Sequence, residues 1–110
     1  MKNPRLYEKE FQFCLILWEH EPVSLRELTY LCKDNLGWER STTYTMIQRL
    51  MNKGIIQRDG RIVTSVLSKE QVQDDRTEDL IQRTFGGRLS ELLRSLSRLL
   101  DDNIGTNYLL

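Results

Sequence analysis

Residues 40–66 decide the fold, and they read RSTTYTMIQRLMNKGIIQRDGRIVTSV. Their first half predicts a helix from near Ser41 to Lys53-Gly54, because its apolar residues recur at helical spacing, as Met46, Ile47 and Leu50. Gly54 supplies the left-handed residue with which many helices end. The stretch therefore opens on an amphipathic helix with one apolar side and one polar side.

A β-hairpin follows this helix. Ile55 to Arg58 is predicted to be its first strand and Arg61 to Val66 its returning strand. Asp59-Gly60 between them is predicted to be the two-residue turn, because this dipeptide favours the turn types that join antiparallel strands.

Two further helices precede this region. The first is predicted from about Tyr7 to His20 and ends before Pro22, because a residue that precedes proline avoids the helical conformation. The second begins at Ser24, which forms a capping-box pattern with Glu27, and it ends by Gly37. Three helices followed by a hairpin, or wing, are the arrangement of a winged helix-turn-helix domain.

Two more helices follow the hairpin. Ser68 and Gln71 match a second capping box, which opens a helix to about Thr84. Phe85-Gly86-Gly87 interrupts it, and a fifth helix is predicted from Arg88 to about Asp102. We therefore predict a mainly α fold: a winged helix-turn-helix (three helices plus a β-hairpin wing) in residues 1–67, then two C-terminal helices in residues 68–110.

Composition excludes several classes of protein. Hydrophobic residues make up 39% of the 110 residues and charged residues 29%, which is ordinary for a folded domain. No apolar run approaches the roughly 18 residues of a membrane helix. No apolar stretch typical of a signal peptide opens the chain, so a cytoplasmic location is expected.

The residue types on which enzymes and metal sites depend are scarce. Cys14 and Cys32 are too few for a disulfide framework or a four-ligand metal site, and we expect buried structural thiols, with a redox role as the alternative. His20 is the single histidine, and a surface position at a helix end is expected for it. Since a glycine-rich phosphate loop is also missing, we predict neither catalysis nor a cofactor nor a metal site.

The charges are unevenly distributed along a chain of zero net charge. Residues 40–64 hold five basic residues and one acidic residue, Asp59, so this segment carries +4 and the remainder −4. A local basic stripe fits contact with nucleic-acid phosphates, although a solvated surface has the same appearance.

The polar side of the third helix is suited to DNA. In a winged helix this helix can lie in the major groove, where hydroxyl, amide and guanidinium groups bind phosphates and base edges. No acidic residue occurs between Arg40 and Arg58, whereas an ordinary solvated helix usually carries one or two. The predicted DNA-contacting residues are Arg40, Ser41, Thr42, Tyr44, Thr45, Gln48, Arg49 and Lys53 of the helix, and Arg58 and Arg61 beside the wing turn.

A leucine stripe on the fifth helix predicts an interface. Six leucines at helical spacings lie on one side, and two apolar residues of the fourth helix add to them: Leu89, Leu92, Leu93, Leu96, Leu99 and Leu100, with Leu80 and Ile81. Packing against the chain's own winged helix is one explanation. We favour homodimerisation, which makes residues 68–110 a dimerisation region and supplies the two-fold symmetry of a pseudo-palindromic operator.

Four stretches, taken in order, carry a family resemblance. They are Leu6 to Trp18, then VSLREL at 23–28, then Gly37-Trp38 with Thr42, Thr45, Gln48-Arg49-Leu50 and Lys53-Gly54, and finally Phe85-Gly86-Gly87 before a leucine-rich helix. Together they resemble the first helix, second-helix entry, recognition helix and dimerisation region of the penicillinase repressor (BlaI/MecI/CopY) family of transcriptional regulators.

The resemblance implies a homodimeric DNA-binding repressor with operators in the promoters of resistance or stress-response genes. In some relatives a membrane-bound sensor protease system triggers cleavage of the repressor, and in others copper or zinc controls DNA binding. A winged helix that binds proteins and not DNA is the alternative function, because the net charge is zero.

The sequence departs from the family at several positions. Thr43 stands where an apolar residue is usual and Tyr44 where Lys or Arg is common, so the base preference is expected to differ. Ser95-Leu96 replaces the Asn-Phe pair at which resistance repressors are cut, which argues against induction by the same protease. Residues 107–110 lack the cysteines of the copper-responsive members, which argues against copper sensing by that route.

Overall fold

A computed structural model describes residues 3–102 of the chain. In chain order the elements are α1 (Glu8–His20), β1 (Val23–Ser24), α2 (Leu25–Leu36), α3 (Arg40–Asn52), β2 (Ile56–Asp59), β3 (Ile62–Ser65), α4 (Lys69–Phe85) and α5 (Leu89–Asp101). This order confirms the predicted mainly α fold, a winged helix-turn-helix followed by two helices. Residues 107–110, in which the copper-responsive members carry cysteines, lie outside the described part of the chain.

The wing belongs to a three-stranded antiparallel sheet with the strand order β1-β3-β2. Its third strand, β1, was not predicted, because two residues are too few for an alternating pattern to stand out. Val23 of β1 pairs with Val63 of β3, and the Leu25 N–H donates to the Arg61 carbonyl at 2.8 Å. The start of α2 is thus tied to the wing by backbone hydrogen bonds.

The predicted position of the hairpin turn is wrong by one residue. Asp59 pairs with Ile62 across the hairpin, so Asp59 ends β2 and the two turn residues are Gly60 and Arg61. Gly60 has φ +61°, a conformation that glycine adopts without steric cost at the first turn position. Arg61 therefore lies in the turn itself and not in the returning strand.

The capping signals of the sequence fix two helix starts. The Ser24 Oγ accepts a hydrogen bond from the Glu27 N–H at 3.1 Å. Ser68 and Gln71 form the complete reciprocal box, with the Ser68 N–H donating to the Gln71 side chain at 2.8 Å and the Gln71 N–H to Ser68 Oγ at 3.1 Å. The predicted helix boundaries agree with the structure to within one or two residues.

The hydrophobic core joins α1, α2, α3 and the sheet. Leu17, Leu28, Leu50 and Val63, one residue from each element, are completely buried. Burial of each such side chain contributes about 1.5–3 kcal/mol to the free energy of unfolding. Trp18 of α1 packs at the edge of the core and donates its indole N–H to the Leu67 carbonyl at 3.0 Å.

The chain divides into two compact units, Met1–Gln73 and Asp74–Leu110. The division falls inside α4, whose first turns carry the buried Val72. In the second unit, no residue of α5 is buried. The domain boundary between residues 67 and 68 stays a prediction.

A charged clamp joins the ends of two helices in the first unit. Glu10 of α1 has a side chain only 2% exposed, and its Oε1 accepts from Lys53 Nζ and from the Tyr7 N–H, each at 2.9 Å. Lys53 also donates to the Arg5 carbonyl at 2.6 Å. Lys53, directly after α3, therefore holds the beginning of α1 against the end of α3.

Lys53→Met tests this clamp. We expect it to lower the free energy of unfolding by about 2 kcal/mol, because it leaves the buried Glu10 carboxylate without its ammonium partner. The measurement is urea denaturation, with Lys9→Met as the matched control, since Lys9 is an exposed lysine of α1. Equal midpoints for the two variants would contradict the role given to Lys53.

One buried polar group of the core lacks a partner among the described residues. The Thr43 hydroxyl on α3 is completely buried and makes no hydrogen bond there. The Cys32 thiol lies beside it and is too weak a partner to satisfy it. An unsatisfied buried hydroxyl costs stability.

Thr43→Val is therefore expected to raise the free energy of unfolding by about 1 kcal/mol, since it replaces the hydroxyl with a methyl group of the same shape. Thr45→Val is the control, because Thr45 is exposed on the same helix and its hydroxyl donates to the Ser41 carbonyl. Denaturation curves of both variants would decide the point. A clear loss of stability in Thr43→Val would show that the hydroxyl has a partner after all.

Candidate nucleic-acid interface

Helix α3 has one buried side and one exposed side. The buried residues are Thr43, Met46, Ile47 and Leu50. Six of the predicted DNA-contacting residues are exposed, namely Arg40, Ser41, Thr42, Thr45, Gln48 and Arg49, and Tyr44 is half-buried. The core residues thus orient the polar residues outward, because residues three and four apart share a helix face.

The exposed side of α3 carries no carboxylate along its whole length. The acidic residue at this end is Glu39, which precedes the helix as its N-cap residue and does not cap it with its side chain. Unpaired N–H groups at a helix start attract anions, and Arg40 adds a full positive charge there. This face is therefore suited to phosphate oxygens and to the acceptor groups of base edges.

Two intrahelical hydrogen bonds organise the middle of this face. The Thr45 hydroxyl donates to the Ser41 carbonyl at 2.9 Å, and the Gln48 amide nitrogen donates to Asn52 Oδ1 at 3.0 Å. Arg49 has no ion-pair partner among residues 3–102. Its guanidinium group is available for bidentate contact with guanine or phosphate.

Tyr44 pairs with Arg40 at the start of α3. Arg40 Nη2 donates to the Tyr44 hydroxyl at 3.4 Å, and the Arg40 guanidinium carbon lies 5.3 Å from the centre of the Tyr44 ring. This hydrogen bond lowers the pKa of the Tyr44 phenol, and the positive charge of Arg58 on β2 lowers it further. Tyr44 of α3 and Arg61 of the wing turn line the same hollow, so helix and wing contribute to one surface.

The two predicted wing residues are both exposed but occupy different positions. Arg58 lies in β2 opposite Val63, and Arg61 lies in the turn. Lys53 is placed differently from the other predicted residues, because its ammonium group binds Glu10. Its contact with DNA stays a prediction, and the structure gives it a role in stability.

Sequence reasoning missed the outward side of α2. Arg26, Tyr30 and Lys33, together with the start of α3 and Arg61, line a hollow of about 700 Å³, here called the α2–α3 groove. The spacing of four and three residues along α2 could have identified this face. A second, more open hollow of about 620 Å³ follows α3 from Tyr44 to Lys53.

The predicted dimerisation residues lie on α4 and α5. Leu80 and the five α5 leucines at 89, 93, 96, 99 and 100 are between 39% and 57% exposed. Ile81 and Leu92 are half-buried. The apolar side of α5 is thus largely uncovered within the described chain, and dimerisation stays a prediction.

The described residues offer no metal centre and no activated nucleophile. Between residues 3 and 102, no group of three or more His, Cys, Asp or Glu residues could hold a metal ion. Cys14 and Cys32 are buried, and burial raises the pKa of their thiols to about 12 and about 11. A thiol with so high a pKa is scarcely ionised at neutral pH, so it reacts slowly.

The described helices are all too short or too polar to cross a membrane. His20 lies at the end of α1, with its Nδ1 2.9 Å from the Ile16 carbonyl oxygen. The His20 ring therefore has a hydrogen-bonding partner within its own helix.

Comparison with known proteins identifies similar sequences. The family model described as Penicillinase repressor matches residues 6–103. The penicillinase repressor of Bacillus licheniformis is 21% identical over 96 residues, which cover 84% of this chain and 75% of that protein. An uncharacterised 16.5 kDa protein from the ptsI 3' region of Latilactobacillus sakei is 26% identical over 91 residues, 79% of this chain and 62% of that protein.

Two solved structures share the fold. One is the solution structure of monomeric Bacillus licheniformis BlaI in complex with the blaP half-operator, with a TM-score of 0.56. The other is the solution structure of the DNA-binding domain of the repressor BlaI, with a TM-score of 0.54. Each is 24% identical to this chain and covers 64% of it and 93% of the solved chain.

Proposed function

This chain belongs to the penicillinase repressor family, and on that premise we propose that it is a transcriptional repressor that binds a pseudo-palindromic DNA operator as a homodimer. Helix α3 enters the major groove, and the wing contacts the phosphate backbone. The family is one of repressors and not of enzymes, which agrees with the predicted lack of catalysis.

The exposed face of α3 is the main support for DNA binding. It combines hydroxyl and amide groups with two arginines over a helix without a carboxylate. Hydroxyls and amides contact both phosphates and bases, and arginine pairs bidentately with guanine. An ordinary solvated helix usually carries one or two acidic residues, and α3 carries none.

The wing supports the same surface. Arg58 of β2 and Arg61 of the turn are both exposed, and Arg61 lines the same hollow as Tyr44 of α3. A DNA duplex seated on α3 brings a phosphate backbone towards the wing. BlaI, whose fold is similar, was solved with a half-operator, which supports DNA as the partner of this fold.

Homodimerisation through α5 supplies the second half of the operator contact. Exposed leucines cover one side of α5, and an apolar surface of this kind usually marks an interface. A two-fold symmetric dimer presents two α3 helices to half-sites one helical turn apart, or a multiple of it. The relative named penicillinase repressor supports target genes for resistance or stress response.

Arg49→Ala and Arg61→Ala test the DNA surface. Each is expected to weaken binding to the DNA upstream of the chain's own gene and to reduce the slope of log K against log[salt] by about 1, because one phosphate contact is lost. Fluorescence anisotropy over a salt series measures both effects. Arg98→Ala on α5 is the control, since it removes the same charge outside the proposed surface. An unchanged slope in both variants would count against phosphate contact.

Leu96→Asp tests the dimer. A carboxylate in the middle of the leucine stripe is expected to give monomers in sedimentation velocity and at least about tenfold weaker operator binding, because a buried unpaired charge is costly. Ser90→Asp adds the same charge to an exposed position away from the stripe and is expected to leave the dimer intact. A dimer that survives Leu96→Asp would exclude this interface.

A further inference from the structure

The α2–α3 groove concentrates positive charge that the fold does not neutralise. Arg26, Lys33, Arg40 and Arg61 line it, against one carboxylate, that of Glu39, so its lining carries +3. Within residues 3–102, none of these four basic residues forms an ion pair with a carboxylate. Four cations around one hollow repel one another, and an anion placed among them relieves that repulsion.

The same groove has aromatic walls. The Arg26 guanidinium lies 5.9 Å from the centre of the Tyr30 ring, and the Arg40 guanidinium 5.3 Å from the centre of the Tyr44 ring. Tyr30 comes from α2 and Tyr44 from α3, so the two arginine–tyrosine pairs stand on separate helices. Leu25, packed against the core, adds an apolar side chain to the lining.

The size of the groove fits a small organic molecule. Ligand pockets usually enclose about 300–1,000 Å³ and combine an apolar lining with a few polar groups that fix orientation. The groove is partly open to solvent, has a volume of about 700 Å³ and combines both features. A lone phosphodiester of a DNA backbone binds the cations but makes no stacking contact with Tyr30 or Tyr44.

We propose that the α2–α3 groove binds a small aromatic anion, a ring that carries a phosphate or carboxylate group. The ring packs against Tyr30 and Tyr44, and the anionic group binds the arginines. Arg40, Tyr44 and Arg61 also belong to the proposed DNA surface, so the anion and DNA compete. Binding of the anion would therefore release the DNA and relieve repression. This regulatory role rests on the proposed function, whereas the binding site itself does not.

The site is tested without DNA by NMR titration of the ¹⁵N-labelled full chain with phenyl phosphate. Inorganic phosphate and benzyl alcohol test the anionic group and the ring separately. We expect saturable shifts of the amides of α2, the start of α3 and the turn, with phenyl phosphate binding at least about tenfold more tightly than inorganic phosphate. Equal affinity for phosphate and phenyl phosphate, or no saturation below about 10 mM, would overturn the site.

Variants outside the proposed α3 and wing contacts test which groups bind the anion. Arg26→Gln and Tyr30→Ala are both on the exposed side of α2, so the fold is expected to persist, as the spectrum of each variant will report. Each is expected to weaken phenyl phosphate binding by about tenfold, the effect of one charge-assisted hydrogen bond or one aromatic contact. Lys9→Gln removes a charge from α1 and is expected to leave binding unchanged. Unchanged affinity in both α2 variants would overturn the assignment.

Competition is measured by adding phenyl phosphate to the complex of the chain with its own upstream DNA at constant ionic strength. Displacement of DNA by phenyl phosphate, but not by the same concentration of inorganic phosphate, supports the regulatory role. Simultaneous binding of DNA and phenyl phosphate overturns that role and leaves the site standing. A chain that binds phenyl phosphate but no DNA contradicts the proposed function and not the site.

Discussion

The burial of one side of α3 determines which of its side chains reach the surface. Met46, Ile47 and Leu50 pack into the core with α1, α2 and the sheet, and this packing fixes the rotation of the helix about its own axis. A helix held in this way has no freedom to choose which residues face outward. The row of hydroxyl, amide and guanidinium groups is therefore presented as a rigid surface, and the clamp from Lys53 to Glu10 secures the end of the same helix.

The wing depends on the same core. Val63 is completely buried, and it pairs with Val23 on one side and Arg58 on the other. Through β1 the wing is fastened to the start of α2, so the wing turn, α2 and the start of α3 form one continuous surface in the first unit. Residues 40–64, which contain α3 and the wing, carry +4 in a chain whose net charge is zero. Because the acidic residues elsewhere in the chain cancel this local charge, the net charge alone does not indicate a nucleic-acid partner.

The sequence predicted the helices and the hairpin well, because capping boxes, helix-ending glycines and helical periodicity are local signals. It failed where the structure depends on non-local contacts. The pairing of β1 with β3 joins residues about 40 positions apart, and nothing local to Val23-Ser24 announces it. The turn shifted by one residue because the register of the two strands, and not the Asp59-Gly60 dipeptide alone, sets which residues turn. Two further features could be recognised only from the tertiary fold. One is the ion pair of Lys53 with Glu10, and the other is the groove that Arg26, Tyr30 and Arg61 line together.

Recognition of DNA through α3 and the wing is the function that we propose for this chain. The most direct test is fluorescence anisotropy of the wild-type chain with the duplex from upstream of its own gene and with a scrambled duplex of the same composition, each at two salt concentrations. We expect tight, salt-sensitive binding that prefers the upstream duplex, with two protomers on each site. Absence of binding to both duplexes at low salt would contradict it and favour a winged helix that binds another protein.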